Sequence, residues 1–312
     1  MLSFSVMRSG SRLAAAAIAA AALTHACARS GSNERFVAAS VFPLYDIARR
    51  VGGDRLRVEL ILPPGRTTHY YDPSPKDVSR LAGASVVFAV GLGLDSWLVP
   101  IVRGAGGGQG RVFDLGPLVD PRLVSTAGGA PHDHEGAMDP HFWLDPVRMQ
   151  RVTDVVTEAC RGLDPEGAPG YTLRGEEVKA SLRRLHEELV PRSERWRGRS
   201  IVTFHGSLFY FAERYGLEIA AVVEPVPGRE PTGREIAGLV ALVKQKNVAA
   251  LLTEPQLDRR AAEVIARETG LPLVQVDPVG GLPGTSTYED LLRQVAGALD
   301  RALPRVVPEA AP

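Results

Sequence analysis

The chain has 312 residues, 36 of them basic and 36 acidic, and 45% are hydrophobic. That length can bury a sizeable core and suggests two domains. The balanced charge removes any electrostatic case for a nucleic-acid partner. At the N-terminus, Arg8 and Arg12 precede the apolar run LAAAAIAAAALT at 13–24. The run is short for a bilayer span and has the layout of a secretory signal. Two cleavage readings compete. ACA at 26–28 suits ordinary signal peptidase, cutting after Ala28, whereas LTHAC at 23–27 has the form of a lipobox that would make Cys27 a lipidated first residue, with His25 its poor member. Residues 1–28 are thus expected to be a processing segment and 29–35 a polar tether. Cys160 is the only other cysteine, so no internal disulfide is expected. Lying in a helical pattern, it reads as a small buried hydrophobe.

Beyond the tether, β-rich runs alternate with helical patterns. FVAASV (36–41) reads as a strand, PLYDIARRVGG (43–53) as a helix closed by glycine, and RLRVELIL (55–62) as a second strand. SPKDVSRLAGA (74–84) has helical periodicity and SVVFAV (85–90) is a strand of the buried type. This rhythm argues for a parallel sheet covered by helices. It repeats: residues 200–228 lie over 36–65 at a constant offset of 164, which places Leu44 on Leu208, Ala48 on Ala212, Arg50 on Arg214, Gly52 on Gly216 and Pro63 on Pro227. The same offset carries SVVFAV onto AALLTE (249–254). Between the halves, Tyr171, Val178, Leu182, Leu185 and Leu189 mark one face of a helix over 170–191, expected to stop at Pro191. The expected architecture is α/β: two similar lobes, each a mainly parallel sheet flanked by helices, joined by one long rigid helix. The boundaries expected are 36–168 for the first lobe, 169–191 for the linker, 192–303 for the second lobe and 304–312 for a tail. His186, among charged neighbours on the linker, reads as a solvated surface residue.

In open α/β sheets, ligands bind beyond the carboxyl ends of the strands. That rule singles out His69 in the stiff loop ILPPGRTTHYYDP (61–73), His205 after SIVTF (200–204), Asp277 after PLVQV (272–276), and His141 in the Pro-bracketed DPHFWLDP (139–146). Three imidazoles and a carboxylate make a four-coordinate set of the kind zinc favours. Each has a plainer reading as well. His69 could be a solvated loop residue, His141 could donate to Asp145, His205 could cap a helix starting at Ser207, and Asp277 could initiate a turn.

PPGRTTHYYDPSPKDV, DPHFWLDP, FHGSLFYFAERYGLE, LLTEPQLDRRAAEVIARETG and VDPVGG, in that order between about residues 36 and 302, resemble the signatures of the zinc/manganese cluster of substrate-binding proteins of bacterial ABC transporters. The resemblance implies a metal ion in the cleft between two lobes, held by His69, His141, His205 and Asp277, and delivered to an ABC transporter membrane permease. It further implies an exported monomer that meets the membrane only through a lipid anchor, if Cys27 carries one. Zn2+ is the expected cargo and Mn2+ the alternative, because manganese binders of this cluster tend to replace the third histidine with glutamate. The chain departs from some zinc binders in having Thr68 where they carry a glutamate ligand, and from the commoner run after the third histidine at Gly206 and Ser207. His132 and His134, with Asp133 and Glu135, are a minimal version of an auxiliary His-rich metal loop, or simply a polar loop.

Other classes fit less well. An exported zinc hydrolase would keep an open metal position beside a general base, yet four protein ligands would close the site and HExxH is absent. Glu224 and Glu254, at strand ends, are expected to support the ligand shell or lobe packing rather than act as bases. RGAGGGQGR (103–111) matches neither GxGxxG nor GxxxxGK and reads as a loop. No repeat or aromatic surface patch argues for an adhesin.

Overall fold

Residues 36–104, 111–124, 138–226 and 228–303 are described by a computed structural model. The leader with Cys27, the tether, the His132/His134 loop and the tail beyond Leu303 lie outside the described residues. In the first lobe β1 (Phe36–Ala39), β2 (Arg57–Leu60), β3 (Val86–Ala89) and β4 (Arg111–Asp114) alternate with α1 (Phe42–Gly52), α2 (Pro75–Ala82) and α3 (Leu98–Gly104). All pairings are parallel, in the order β2-β1-β3-β4. The second lobe repeats this plan. Strands β5 (Ser200–Thr203), β6 (Glu218–Val222), β7 (Val248–Thr253) and β8 (Leu273–Gln275) form a parallel sheet in the order β6-β5-β7-β8. In each sheet the order reverses between the first and third strands, which opens a crevice at their carboxyl ends.

Between the sheets run α4 (Pro146–Leu163) and α5 (Ala168–Ser193); the second lobe carries α6 (Phe209–Tyr215), α7 (Gly233–Gln245), α8 (Arg260–Thr269) and α9 (Tyr288–Ala302). Capping boxes start three helices, with Ser74 and Asp77 on α2, Thr232 and Glu235 on α7, and Thr287 and Asp290 on α9. The joining helix α5 has 26 residues, about 39 Å at 1.5 Å per residue. It buries the expected face of Tyr171, Val178, Leu182, Leu185 and Leu189. Pro191 does not end it: the proline lies inside the last turn and the helix runs on to Ser193. The proline has no N–H to give to the carbonyl four residues back, and the loss of that one backbone bond is confined to the last turn. His186 is half-buried rather than solvated, its Nδ1 3.3 Å from the Tyr215 hydroxyl. It follows Leu185, at the edge of the buried stripe, within reach of α6.

Strand residues alternate between faces. Val37 and Ala39 of β1 and Ile201 of β5 join one large apolar cluster, which also takes in Trp143, Tyr171, Leu182, Trp196, Tyr210 and Leu291. The opposite faces belong to separate clusters, Phe36, Ala38 and Leu81 in the first lobe and Val202, Phe204 and Ile265 in the second. Both lobes and the linker therefore share one core. Cys160 is a buried free thiol. Among the described residues, no helix is long and apolar enough to cross a membrane.

Candidate metal centre

Three of the four singled-out side chains meet. His69 lies between β2 and α2, His141 opens the turn Phe142–Leu144 ahead of α4, and His205 follows β5 by two residues. One ring nitrogen from each lies within 4.8 Å of the others, and among the described residues this is the one such group. Ring centroids are 5.3 Å apart for His69 and His141, 4.6 Å for His69 and His205, and 4.8 Å for His141 and His205. The Nε2 atoms of His69 and His141 are 3.2 Å apart. The cavity they line is about 10 Å³, room for roughly one water-sized sphere.

Hydrogen bonds set which nitrogen faces inward. Asp139 Oδ1 accepts from both the backbone N–H and Nδ1 of His141, at 2.9 and 2.8 Å, so Nε2 keeps its lone pair. Nδ1 of His205 lies 3.3 Å from Glu254 Oε1, an oxygen that also accepts the Ser207 hydroxyl at 2.7 Å. Glu254 directly follows β7 and supports a candidate ligand, as expected. Glu224 instead accepts the backbone N–H of Gly228. The plainer roles of His141 and His205 do not hold: His141 turns to Asp139 and not to Asp145, which caps α4 at Val147 N, and His205 makes no side-chain cap.

Burial, and then the His205 and His141 imidazoles, hold His69 well below the usual imidazole range. Burial also lowers His141 on balance, although Asp139 pulls the other way. His205 differs: burial would lower it, but the Glu254 charge and hydrogen bond outweigh burial and raise it. Burial would likewise raise Glu254, and the His205 charge reverses that. The site thus offers mostly neutral imidazoles, the form that binds metal.

Asp277 follows β8 by two residues and is buried, but it is not in the three-nitrogen group. Its Oδ1 accepts from Gln256 Nε2 at 2.7 Å and from the N–H groups of Val279 and Gly280 at 3.0 and 3.1 Å; Oδ2 is buried without a hydrogen-bond partner. The neighbouring Pro278 and Val279 line the histidine cavity. Asp139 and Gln256 went unremarked in the sequence. The first could have been found from its place two residues before His141 in DPH; nothing local marks the second.

The chain matches, over residues 37–302, the family described as "ZnuA: Zinc-uptake complex component A periplasmic". It belongs to the ZnuA family. Membership makes it a metal-binding, substrate-binding component of an ABC transporter, exported and working outside the cytoplasmic membrane. The manganese-binding lipoprotein MntA of Halalkalibacterium halodurans is 26% identical over 260 residues, covering 80% of this chain and 82% of that relative. The high-affinity zinc uptake system protein ZnuA of Bacillus subtilis is 24% identical over 295 residues, covering 90% and 91%. A crystal structure of ZnuA superposes with a TM-score of 0.76 at 26% identity, covering 86% of this chain and 99% of that one. The ZnuA-family fold thus agrees with the expected pair of parallel-sheet lobes and joining helix.

Proposed function

We propose that this ZnuA-family member captures Zn2+ through His69, His141, His205 and Asp277 and presents it to its permease without catalysing a reaction. The observation that carries the reading is the convergence of three imidazole nitrogens within 4.8 Å, from strand-end loops of both lobes, on a cavity of single-ion size. A nitrogen-rich, four-donor set suits zinc, which has no d-electron geometric preference, better than manganese, which favours oxygen donors and higher coordination. The unpartnered Oδ2 of Asp277 supports a fourth donor, since a buried carboxylate oxygen without a partner is costly. Four protein donors leave no open position for substrate, which argues against a hydrolase. The chain acts as a monomer, anchored through Cys27 if the lipobox is used, and His132 and His134 add only loose binding.

Metal analysis of protein exported and purified without added metal tests this directly. One zinc per chain is expected, and stoichiometric manganese would overturn the assignment. Calorimetry should show one tight event that survives deletion of 127–137. Asp277→Asn and His69→Ala should each lose most of the zinc-induced rise in melting temperature; a variant responding like the parent would remove that residue from the ligand set.

A further inference from the structure

Two oxygens close to the histidine cavity, Oδ2 of Asp277 and Oε1 of Gln256, are buried without a hydrogen-bond partner. Their side chains touch. Gln256 lines the cavity, and its Nε2 donates to Asp277 Oδ1 at 2.7 Å. The same oxygen accepts Val279 N–H and Gly280 N–H at 3.0 and 3.1 Å. Three donors thus converge on this one oxygen. One oxygen of Asp277 is therefore fully engaged by protein, and its partner is not engaged at all.

Resting on the four-ligand reading above, we propose that Gln256 is a positioning residue that sets metal specificity: by occupying Oδ1, it restricts Asp277 to one donor oxygen and the centre to three nitrogens and one oxygen. A carboxylate free to bind through both oxygens would supply a fifth donor, which zinc does not need and manganese favours. The two backbone donors hold Oδ1 from its own loop. Gln256 reaches it from a different loop, after β7, and is the one side-chain donor of the three, so its removal frees the acceptor site on Oδ1 that its amide fills.

The test compares zinc and manganese competition titrations on the full mature protein, as parent, Gln256→Ala, Gln256→Met and Asp277→Asn. Methionine keeps the bulk and removes the donor. Loss of an outer partner of a ligand commonly lowers metal affinity about 10–100-fold. Zinc affinity is expected to fall in that range in both Gln256 variants while manganese falls less, which narrows the zinc-to-manganese ratio about tenfold or more. Cobalt-loaded protein gives an independent readout: the strong visible absorption of a four-coordinate centre should weaken in the variants as coordination rises. Equal losses for both metals with an unchanged cobalt spectrum would overturn the proposal and leave Gln256 a merely structural residue. If Asp277→Asn leaves zinc affinity unchanged, the four-ligand reading fails and this proposal falls with it. If Asp277→Asn weakens zinc but the Gln256 variants keep the parental ratio, this proposal alone fails.

Discussion

Asp139 and Glu254 each hold the Nδ1 side of a candidate histidine ligand, but by different means. The Asp139 bond to His141 is short, 2.8 Å, and its oxygen also takes the His141 backbone N–H; it fixes both tautomer and ring position. Asp139→Ala should therefore lower zinc affinity about 10–100-fold, with little change in the melting temperature of metal-free protein. A titration matching the parent would show that His141 needs no such support. Glu254 complicates the obvious specificity swap. His205→Glu supplies the carboxylate that manganese favours, but it places that carboxylate beside the largely buried Glu254, and like charges so close disfavour ionisation. The single variant should weaken both metals. Adding Glu254→Gln should recover manganese binding and narrow the zinc-to-manganese ratio, which competition titrations measure. Equal ratios in the parent and the double variant would place selectivity elsewhere. His69, His141 and His205 could be picked out from sequence because strand-end loops in parallel sheets face one crevice. The placement of Asp277 could not, since donors from its own loop and from Gln256 decide which way its carboxylate is held.

Among the elements, α4 and α6 are tied by one buried carboxylate. Asp145 caps α4 by accepting Val147 N–H at 2.8 Å, and it also pairs with Arg148 at 2.7 Å and with Arg214 of α6 at 2.7 and 3.1 Å. The Asp145 side chain is fully buried, and Arg148 and Arg214 are 14% and 30% exposed. Removing one partner of such a set leaves charge uncompensated, so Asp145→Ala should cost about 3–5 kcal/mol of unfolding free energy. Arg214→Ala should cost clearly less, because Arg148 still neutralises the carboxylate. Urea titrations of the two variants check the order, and equal losses would mean that the Arg214 pair alone carries the effect and the helix cap adds nothing. Helices α1, α2 and α5 and most strands are readable because their periodicities are strong, whereas α3, α7, α8 and α9 are not singled out. Strand β4 carries little signal, since RVFD is four residues with a charge at each end. The end of α5 lies two residues beyond the expected stop, because Pro191 removes only one backbone bond within the last turn.

At the scale of the molecule, the lobes are held together before any metal arrives. They share one apolar cluster through α5, and hydrogen bonds cross between them beside the site. Trp143, two residues after His141, donates to the Pro278 carbonyl at 2.8 Å, and Tyr210 of α6 donates to the Asp139 carbonyl at 2.8 Å. Pulling such lobes apart would expose core and break buried bonds, so wide hinge opening is disfavoured and the site is organised in advance. Zinc should then act as a cross-brace and not as a closing signal. By linkage it stabilises the folded chain by about 4 kcal/mol when free zinc is about a thousand times the dissociation constant, which is roughly 6–7 °C in melting temperature for a protein of this size. The radius of gyration should meanwhile stay near about 19 Å, the value for a compact chain of this length. Small-angle scattering and thermal unfolding on one metal-free and one zinc-loaded sample test both halves together. A large thermal shift with unchanged scattering is expected. A clear contraction on loading would mean that the shared core yields and that capture works by lobe closure.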